Sequence, residues 1–339
     1  MMIEFALSTV VLIVSAALTG IVRRLALAHR LLDVPNDRSS HTRPTPRGGG
    51  LAMVITLLAA IAVLGAAGVI TTRLALAMLI GGGSVAIVGF VDDRWHVAPP
   101  IRLIVHISAV FLYVWILGRL PPIDFGVAIW DLGVFGTVLG ILVLVWFLNL
   151  YNFMDGIDGI AGVEATSVAT VAAALLMFRG IESPAPLLLL LTAAAAGGFL
   201  FWNWPPARIF MGDAGSGFLG FSLGAIAWIT IVSGDLSIWV WLILFGTFFV
   251  DATVTLLRRW GRGEPLAIAH RSHAYQRLSR RLGSHEKVTV GCLIVNVVWL
   301  APLAWLATVH PSLGAPAMLI AWTPLAIYSW RSGAGLPGD

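Results

Sequence analysis

Residues 132–178 read LGVFGTVLGILVLVWFLNLYNFMDGIDGIAGVEATSVATVAAALLMF. Two apolar runs, 132–151 and 159–178, flank a short turn in which Asp155 and Asp158 alternate with Gly156 and Gly159. About 20 apolar residues are what a helix needs to cross a hydrocarbon core of roughly 30 Å, so this stretch predicts two antiparallel transmembrane helices with a pair of carboxylates at their junction. The pattern recurs in both directions. Further runs lie at approximately 3–22, 49–70, 73–91, 101–118, 186–202, 215–232, 236–257, 288–308 and 313–330, giving about 11 transmembrane helices. Of the 339 residues, 58% are hydrophobic and only 11% are charged. A soluble domain is about half apolar and about a quarter charged, so a water-soluble fold is excluded. The expectation is an all-α polytopic membrane helical bundle forming one domain over 1–339.

The first run has no basic residue ahead of it and ends in Arg23 and Arg24 rather than at a small-residue cleavage site. It reads as a retained span and not as a signal peptide. The single cysteine, Cys292, lies inside an apolar run, where it reads as a packing residue. Basic residues set the orientation. Loops between alternate runs hold Arg23, Arg24, Arg30, Arg38, Arg43 and Arg47, then Arg94, Arg102 and Arg208, then the residues from Arg258 to Lys287, and Arg331. Of the 21 lysines and arginines, only Arg73, Arg119 and Arg179 fall on the other side. The positive-inside rule makes the rich side cytoplasmic and places the N-terminus outside. The net charge of +4 is carried between membrane spans, which suits anionic membrane lipids and phosphate groups and gives no surface for nucleic acid.

Three acidic clusters share the basic side: Asp92 and Asp93 in GFVDDRW, Asp155 and Asp158 in NFMDGIDG, and Asp213 in FMGDAGSG. A lone aspartate at such a place usually caps a helix. Five of them on one face of a membrane protein are costly unless they are paired, hydrated or bound to a cation. Adjacent carboxylates raise each other's cost of ionisation, and Mg2+ prefers a few carboxylate oxygens completed by phosphate and water. Glycines at each junction let backbone N–H groups approach an anion, and in Thr45-Pro46-Arg47-Gly48-Gly49-Gly50 an arginine joins them. Mg2+-dependent phosphate chemistry follows from the set. The stretch His270 to Arg277, HRSHAYQR, is either a basic patch for lipid headgroups or a donor set for a diphosphate and a sugar. Asp251 either lines the cleft or bonds a neighbouring helix. A proton-coupled transporter would place charges near mid-membrane in repeated halves, and no internal repeat is found. A CDP-alcohol phosphotransferase would show an Ala-Arg pair after the first Asp-Gly, which residues 155–159 lack.

Read together, PTPRGGG at 44–50, the Asp92-Asp93 pair, Asn149 to Gly159, and Asn203 through Gly217 resemble the polyprenyl-phosphate N-acetylhexosamine-1-phosphate transferases. This is the WecA and MraY family, glycosyltransferase family 4, and the resemblance is nearest to its O-antigen-initiating, WbpL-like branch. It implies a bundle with a cytoplasmic active-site cleft in a bacterial inner membrane. It also implies Mg2+ with Mn2+ as a substitute, a UDP-N-acetylhexosamine donor, an undecaprenyl phosphate acceptor, and a second copy of the chain as a candidate partner. Residue by residue, it makes Asp213 a metal ligand with Asp93, and Asp92 and Asp93 the catalytic pair at the acceptor phosphate. Asn152, Asp155 and Asp158 become the donor-binding and activating group, and Asn203 and Phe210 flank the uracil. Arg47, Gly49 and Gly156 bind substrate, and Arg271 and His273 belong to the donor loop. Tyr275 and Gln276 stand where the family keeps further histidines. That departure leaves the sugar open, with a 6-deoxy sugar such as N-acetylfucosamine favoured over N-acetylglucosamine.

Overall fold

Within hydrocarbon every backbone N–H and C=O must be satisfied inside its own segment, so each uncharged run closes into a helix. The computed structural model describes residues 2–35, 43–95, 97–265 and 270–337. Arg38, one of the basic residues expected on the cytoplasmic side, lies outside the described residues. The first eight helices are α1 (Met2–Ala28), α2 (Gly50–Ala66), α3 (Thr72–Trp95), α4 (Pro99–Leu117), α5 (Gly133–Met154), α6 (Ile160–Phe178), α7 (Ala185–Asn203) and α8 (Asp213–Val232). The ninth is broken into α9 (Ile238–Leu244) and α10 (Gly246–Trp260), which meet at 78°. A short surface helix, α11 (Ala274–Leu282), precedes the tenth pass. That pass runs through α12 (His285–Ile294), a π-helical segment (Val295–Leu300) and α13 (Ala301–Val309). The last helix is α14 (Gly314–Arg331). Short antiparallel pairs, β1 (Leu32–Asp33) with β2 (Thr45–Pro46) and β3 (Ile123–Asp124) with β4 (Ile129–Trp130), decorate opposite ends.

Among the described residues, eight helices are long and apolar enough to span a membrane, or nine if the bent pair counts as one span. The expected eleven is corrected at two places. Helix α2 is an apolar helix of 17 residues, and α14 carries Pro324 in its interior and ends in Arg331. The expected straight span at 236–257 is instead the broken pass, hinged at Phe245-Gly246.

Helix α8 is the axis of the bundle, buried along most of its length and packed by α2, α3, α4, α5, α6 and α7. Small residues let its neighbours close in: Gly81 and Gly82 of α3 lie under the rings of Phe221 and Phe218. Lipid tails are as apolar as leucine, so such contacts and interhelical hydrogen bonds carry the association, each bond contributing about 0.6 kcal/mol. Ser15 donates to Ala195 O at 2.7 Å and ties α1 to α7, and Tyr113 donates to Ala225 O at 2.7 Å and ties α4 to α8. Fully buried Glu164 on α6 accepts from Asn296 of the π-helical segment at 2.7 Å and from Cys292 at 3.5 Å. Cys292 is therefore both a packing residue and a weak donor to that carboxyl. Because each pass reverses the last, the ends of α1, α3, α5, α7 and α10 gather with the starts of α2, α4, α6, α8 and α12 at one end of the bundle.

Candidate active site

Three acidic clusters distant in sequence meet where α8 begins. Asp93, near the end of α3, accepts from the backbone N–H of Asp213 at 2.8 Å and of Ala214 at 3.2 Å. A carboxylate is favoured at this positive helix terminus. Arg47 Nη2 lies 2.8 Å from Asp93 Oδ1 and 2.8 Å from Asp213 Oδ1. Arg102, one turn into α4, pairs with Asp92 and reaches Asp213 Oδ2 at 3.1 Å. The result is a ladder running Asp92, Arg102, Asp213, Arg47, Asp93. Burial opposes the charged form of Arg47, but the carboxylates of Asp213 and Asp93 outweigh it and hold the guanidinium above its ordinary value.

Beside the ladder opens a polar cleft of about 210 Å³ whose walls include Arg47, Asn152, Asp155, Asp158, Phe210 and Asp213. Asn152 donates to Ser216 Oγ at 2.9 Å, which fixes the end of α5 against α8. Asp155 is the exception among the acids: among the described residues its carboxyl makes neither an ion pair nor a hydrogen bond. Burial pushes this carboxyl well above the usual carboxylate range, and the nearby charge of Asp213 pushes it further. Asp158 is held tightly, accepting from Ala207 N–H at 3.0 Å and lying 3.3 Å from His285 Nδ1. Asn203 spends its amide on the scaffold, accepting from Gly159 N–H at 2.9 Å and donating to Ile209 O at 2.9 Å. Gly49 N–H donates to Phe210 O at 2.9 Å, joining the arginine-bearing loop to the wall that holds Phe210.

A second cavity, of about 370 Å³, lies between α4 and α5 and is mostly apolar, with Leu103, Leu142, Val145 and Trp146 in its walls. It shares Asn152 and Asp213 with the polar cleft and is bordered by Arg102. A water-facing chamber and a greasy one thus meet at a single carboxylate.

The stretch 270–277, expected as a loop, enters α11 at Ala274. His273 is its N-cap in a reciprocal box with Gln276. Asp251 accepts from the N–H groups of Ala274 and Tyr275, both at 2.9 Å, so it bonds a neighbouring helix rather than lining the cleft. Gln276 lines the polar cleft. Tyr275 is buried beneath it, donating to Phe153 O at 3.1 Å. Both pack on Gly156, where a Cβ would overlap the Tyr275 hydroxyl and stand 2.7 Å from Gln276 Nε2. Arg271 is exposed and His273 is buried against α10, and neither lines the cleft. The structure therefore brings together Arg47, Asp92, Asp93, Asn152, Asp155, Asp158, Phe210, Asp213 and Gln276, and leaves Arg271 and His273 aside.

Three cleft residues were not singled out for chemistry from the sequence. Arg102 reads in the sequence as a marker of orientation, although a lone arginine inside an apolar run is itself a signal. His285 stands just ahead of the apolar run at 288–308 and just after Ser284, the side chain that caps α12. Asp33 is brought to the cleft by the pairing of β1 with β2.

Among the described residues, no three His, Cys, Asp or Glu side chains form a preassembled metal cage. The donor chemistry still fits Mg2+, which takes few protein ligands and completes its shell with phosphate and water. Four carboxylates, Asp92, Asp93, Asp155 and Asp213, stand against two guanidiniums, and among the described residues Asp155 is the one that pairs with neither. Both oxygens of Asp93 accept backbone donors and both of Asp213 face a guanidinium, so Asp155 offers the open carboxylate and Asp213, beside it in the cleft wall, the nearest second one.

Residues 75–232, which carry most of these side chains, match the model of glycosyl transferase family 4. A phospho-N-acetylmuramoyl-pentapeptide-transferase of Shouchella clausii is 31% identical over 231 residues, 63% of this chain and 67% of that protein. The chain belongs to glycosyl transferase family 4. Two longer matches to this family agree. A probable undecaprenyl-phosphate N-acetylglucosaminyl 1-phosphate transferase of Bacillus subtilis is 28% identical over 289 residues, 83% of this chain and 79% of that protein. A decaprenyl-phosphate N-acetylglucosaminephosphotransferase of Mycolicibacterium smegmatis is 28% identical over 319 residues, 85% and 77% respectively. The family model ends with α8, so the broken ninth pass, α11 and the tail lie beyond it.

Proposed function

We propose that this chain transfers an N-acetylhexosamine-1-phosphate from a UDP-sugar to undecaprenyl phosphate, releasing UMP, on the cytoplasmic face of a bacterial inner membrane. The observation that carries this reading is the shared wall at Asn152 and Asp213 between a polar cleft and an apolar one. A nucleotide sugar suits the first, a prenyl chain the second, and their phosphates would meet at the ladder.

The second pKa of a phosphate monoester is about 6, so the acceptor is largely dianionic at neutral pH and attacks without a strong base. Its oxygen forms a bond to the sugar-bearing phosphorus of the donor. The bond from that phosphorus to the bridging oxygen breaks, and UMP leaves with the electron pair. Arg102, steered by Asp92, borders the apolar cavity and would receive the acceptor phosphate. Arg47, steered by Asp93, would take up charge on the transferring phosphoryl oxygens. Asp155 and Asp213 would hold Mg2+, whose charge offsets that of the donor diphosphate when bound. Asp158 and Asn203 keep the turn and the Phe210 wall in place for the uracil.

The relatives' names share transfer of a phospho-N-acetyl sugar and differ in the sugar. Gln276 in the cleft and the Tyr275 ring under Gly156 give a less polar wall than imidazoles would. They support N-acetylfucosamine or a related 6-deoxy sugar, and with it a role in starting an O-antigen. The test is to incubate membranes containing the protein with undecaprenyl phosphate and a panel of radiolabelled UDP-N-acetylhexosamines, with and without EDTA. Label should enter the lipid phase only when the metal is available, most rapidly from the 6-deoxy donor. No lipid-linked label from any donor would reject the activity. A preference for UDP-N-acetylglucosamine would reject the sugar assignment alone.

A further inference from the structure

The segment 332–337 follows α14 and lines neither the polar cleft nor the apolar cavity, yet it is tied firmly into the protein. Ala334 is fully buried. Arg277 of α11, itself buried, points its guanidinium at this segment, donating from Nε to Ser332 O at 3.0 Å and from Nη1 to Leu336 O at 3.4 Å and Pro337 O at 3.3 Å. Arg258 of α10 donates to Ala334 O at 3.2 Å and stacks 4.1 Å above the Trp330 ring. Gly335 N–H donates to Ser272 O at 2.9 Å, at the entry to α11. The chain passes Gly335 with φ +76°, and a Cβ there would stand 2.6 Å from Thr255 O, so only glycine fits.

We propose that segment 332–337 is a clamp that positions the donor side of the cleft, with Arg277 as the positioning residue that passes its hold through α11 to Gly156. The route is short. Backbone carbonyls of the segment fix Arg277. The neighbouring residues Tyr275 and Gln276 then press on Gly156, and Tyr275 bonds Phe153 O across the Asp155 turn. A side chain whose donors meet carbonyls of a separate segment is an expensive way to fill space, because a buried guanidinium must have its donors met. Its effect is to hold α11 against the cleft rather than to bind a ligand.

The proposal deepens the transferase reading and rests on it only for the kinetic part of its test. Arg277→Ala and Gly335→Ala break the clamp from its two sides. Tyr113→Phe, which removes a buried hydrogen bond between α4 and α8, serves as the control for general destabilisation. In purified protein, hydrogen exchange of the peptide covering residues 153–159 should quicken roughly tenfold in both clamp variants and not in the control. KM for the UDP-sugar should rise about tenfold with KM for undecaprenyl phosphate unchanged, and Arg277→Lys should recover part of the loss. Unchanged exchange at 153–159 in both clamp variants would overturn the proposal. So would equal rises in both KM values, or a control that matches the clamp variants. If Arg277→Ala does not insert, Gly335→Ala and Arg277→Lys decide. Exchange is read without turnover, so a protein inactive with every donor would sink the transferase reading and leave this test standing.

Discussion

Asp155 ends α5 inside the cleft, within range of the charges on Asp213 and Asp93 and paired by neither arginine of the ladder. Its carboxyl is held above the ordinary range by burial first and by Asp213 next. The folded state thus binds a proton more tightly than the unfolded chain. The stability linked to this group is complete below the unfolded value of about 4 and is lost as pH rises through the folded one. Asp155→Asn removes that loss, so at pH 8 without metal the variant should melt about 1–3 °C above the parent, the gap closing toward pH 4. Adding Mg2+ should raise the melting temperature of the parent and leave the variant unmoved. Parallel melting curves from pH 4 to 8, with equal metal effects, would rule out Asp155 as the unpaired charge. The aspartates were conspicuous in the sequence because a charge stands out in an apolar chain. Their partners were not. That Arg102 bridges Asp92 and Asp213, or that Asp93 caps α8, depends on which helix ends meet, and nothing local to either residue records it.

At the scale of elements, the helices were legible because a run of apolar residues has one stable conformation in lipid. Two departures mark where that rule is silent. A bend at Phe245-Gly246 leaves no trace in hydropathy, since both halves are apolar. Helix α11 was hidden by its charges: its nine residues, three of them arginine, look like loop until Asp251 is seen holding its first N–H groups. The contact between α11 and the Asp155 turn is close enough to test with one methyl group. Gly156→Ala would force Tyr275 and Gln276 away from the turn, and a displacement of about 1 Å at a reacting centre costs on the order of a hundredfold in rate. Transfer activity of Gly156→Ala should fall by about that factor while the protein still inserts and stays folded. Wild-type turnover in this variant would show that α11 and the turn move independently.

Across the whole molecule, the reversal of each pass places residues 47, 95, 211 and 271 at one end of the bundle and residues 119 and 179 at the other. Reporter fusions after Arg47, Trp95, Met211 and Arg271 should therefore all report one compartment, the cytoplasm by the distribution of basic residues, and fusions at Arg119 and Arg179 the opposite one. A split between Trp95 and Met211 would be incompatible with the bond from Asp93 to the α8 terminus. The common wall of the two cavities at Asn152 and Asp213 carries a kinetic signature. With the two chambers abutting, neither substrate needs to hand its group to the protein and depart before the other arrives. Initial rates measured against both substrates should give intersecting double-reciprocal lines, the pattern of a ternary complex, whereas parallel lines would mean that the sugar phosphate rests on a side chain between two separate visits.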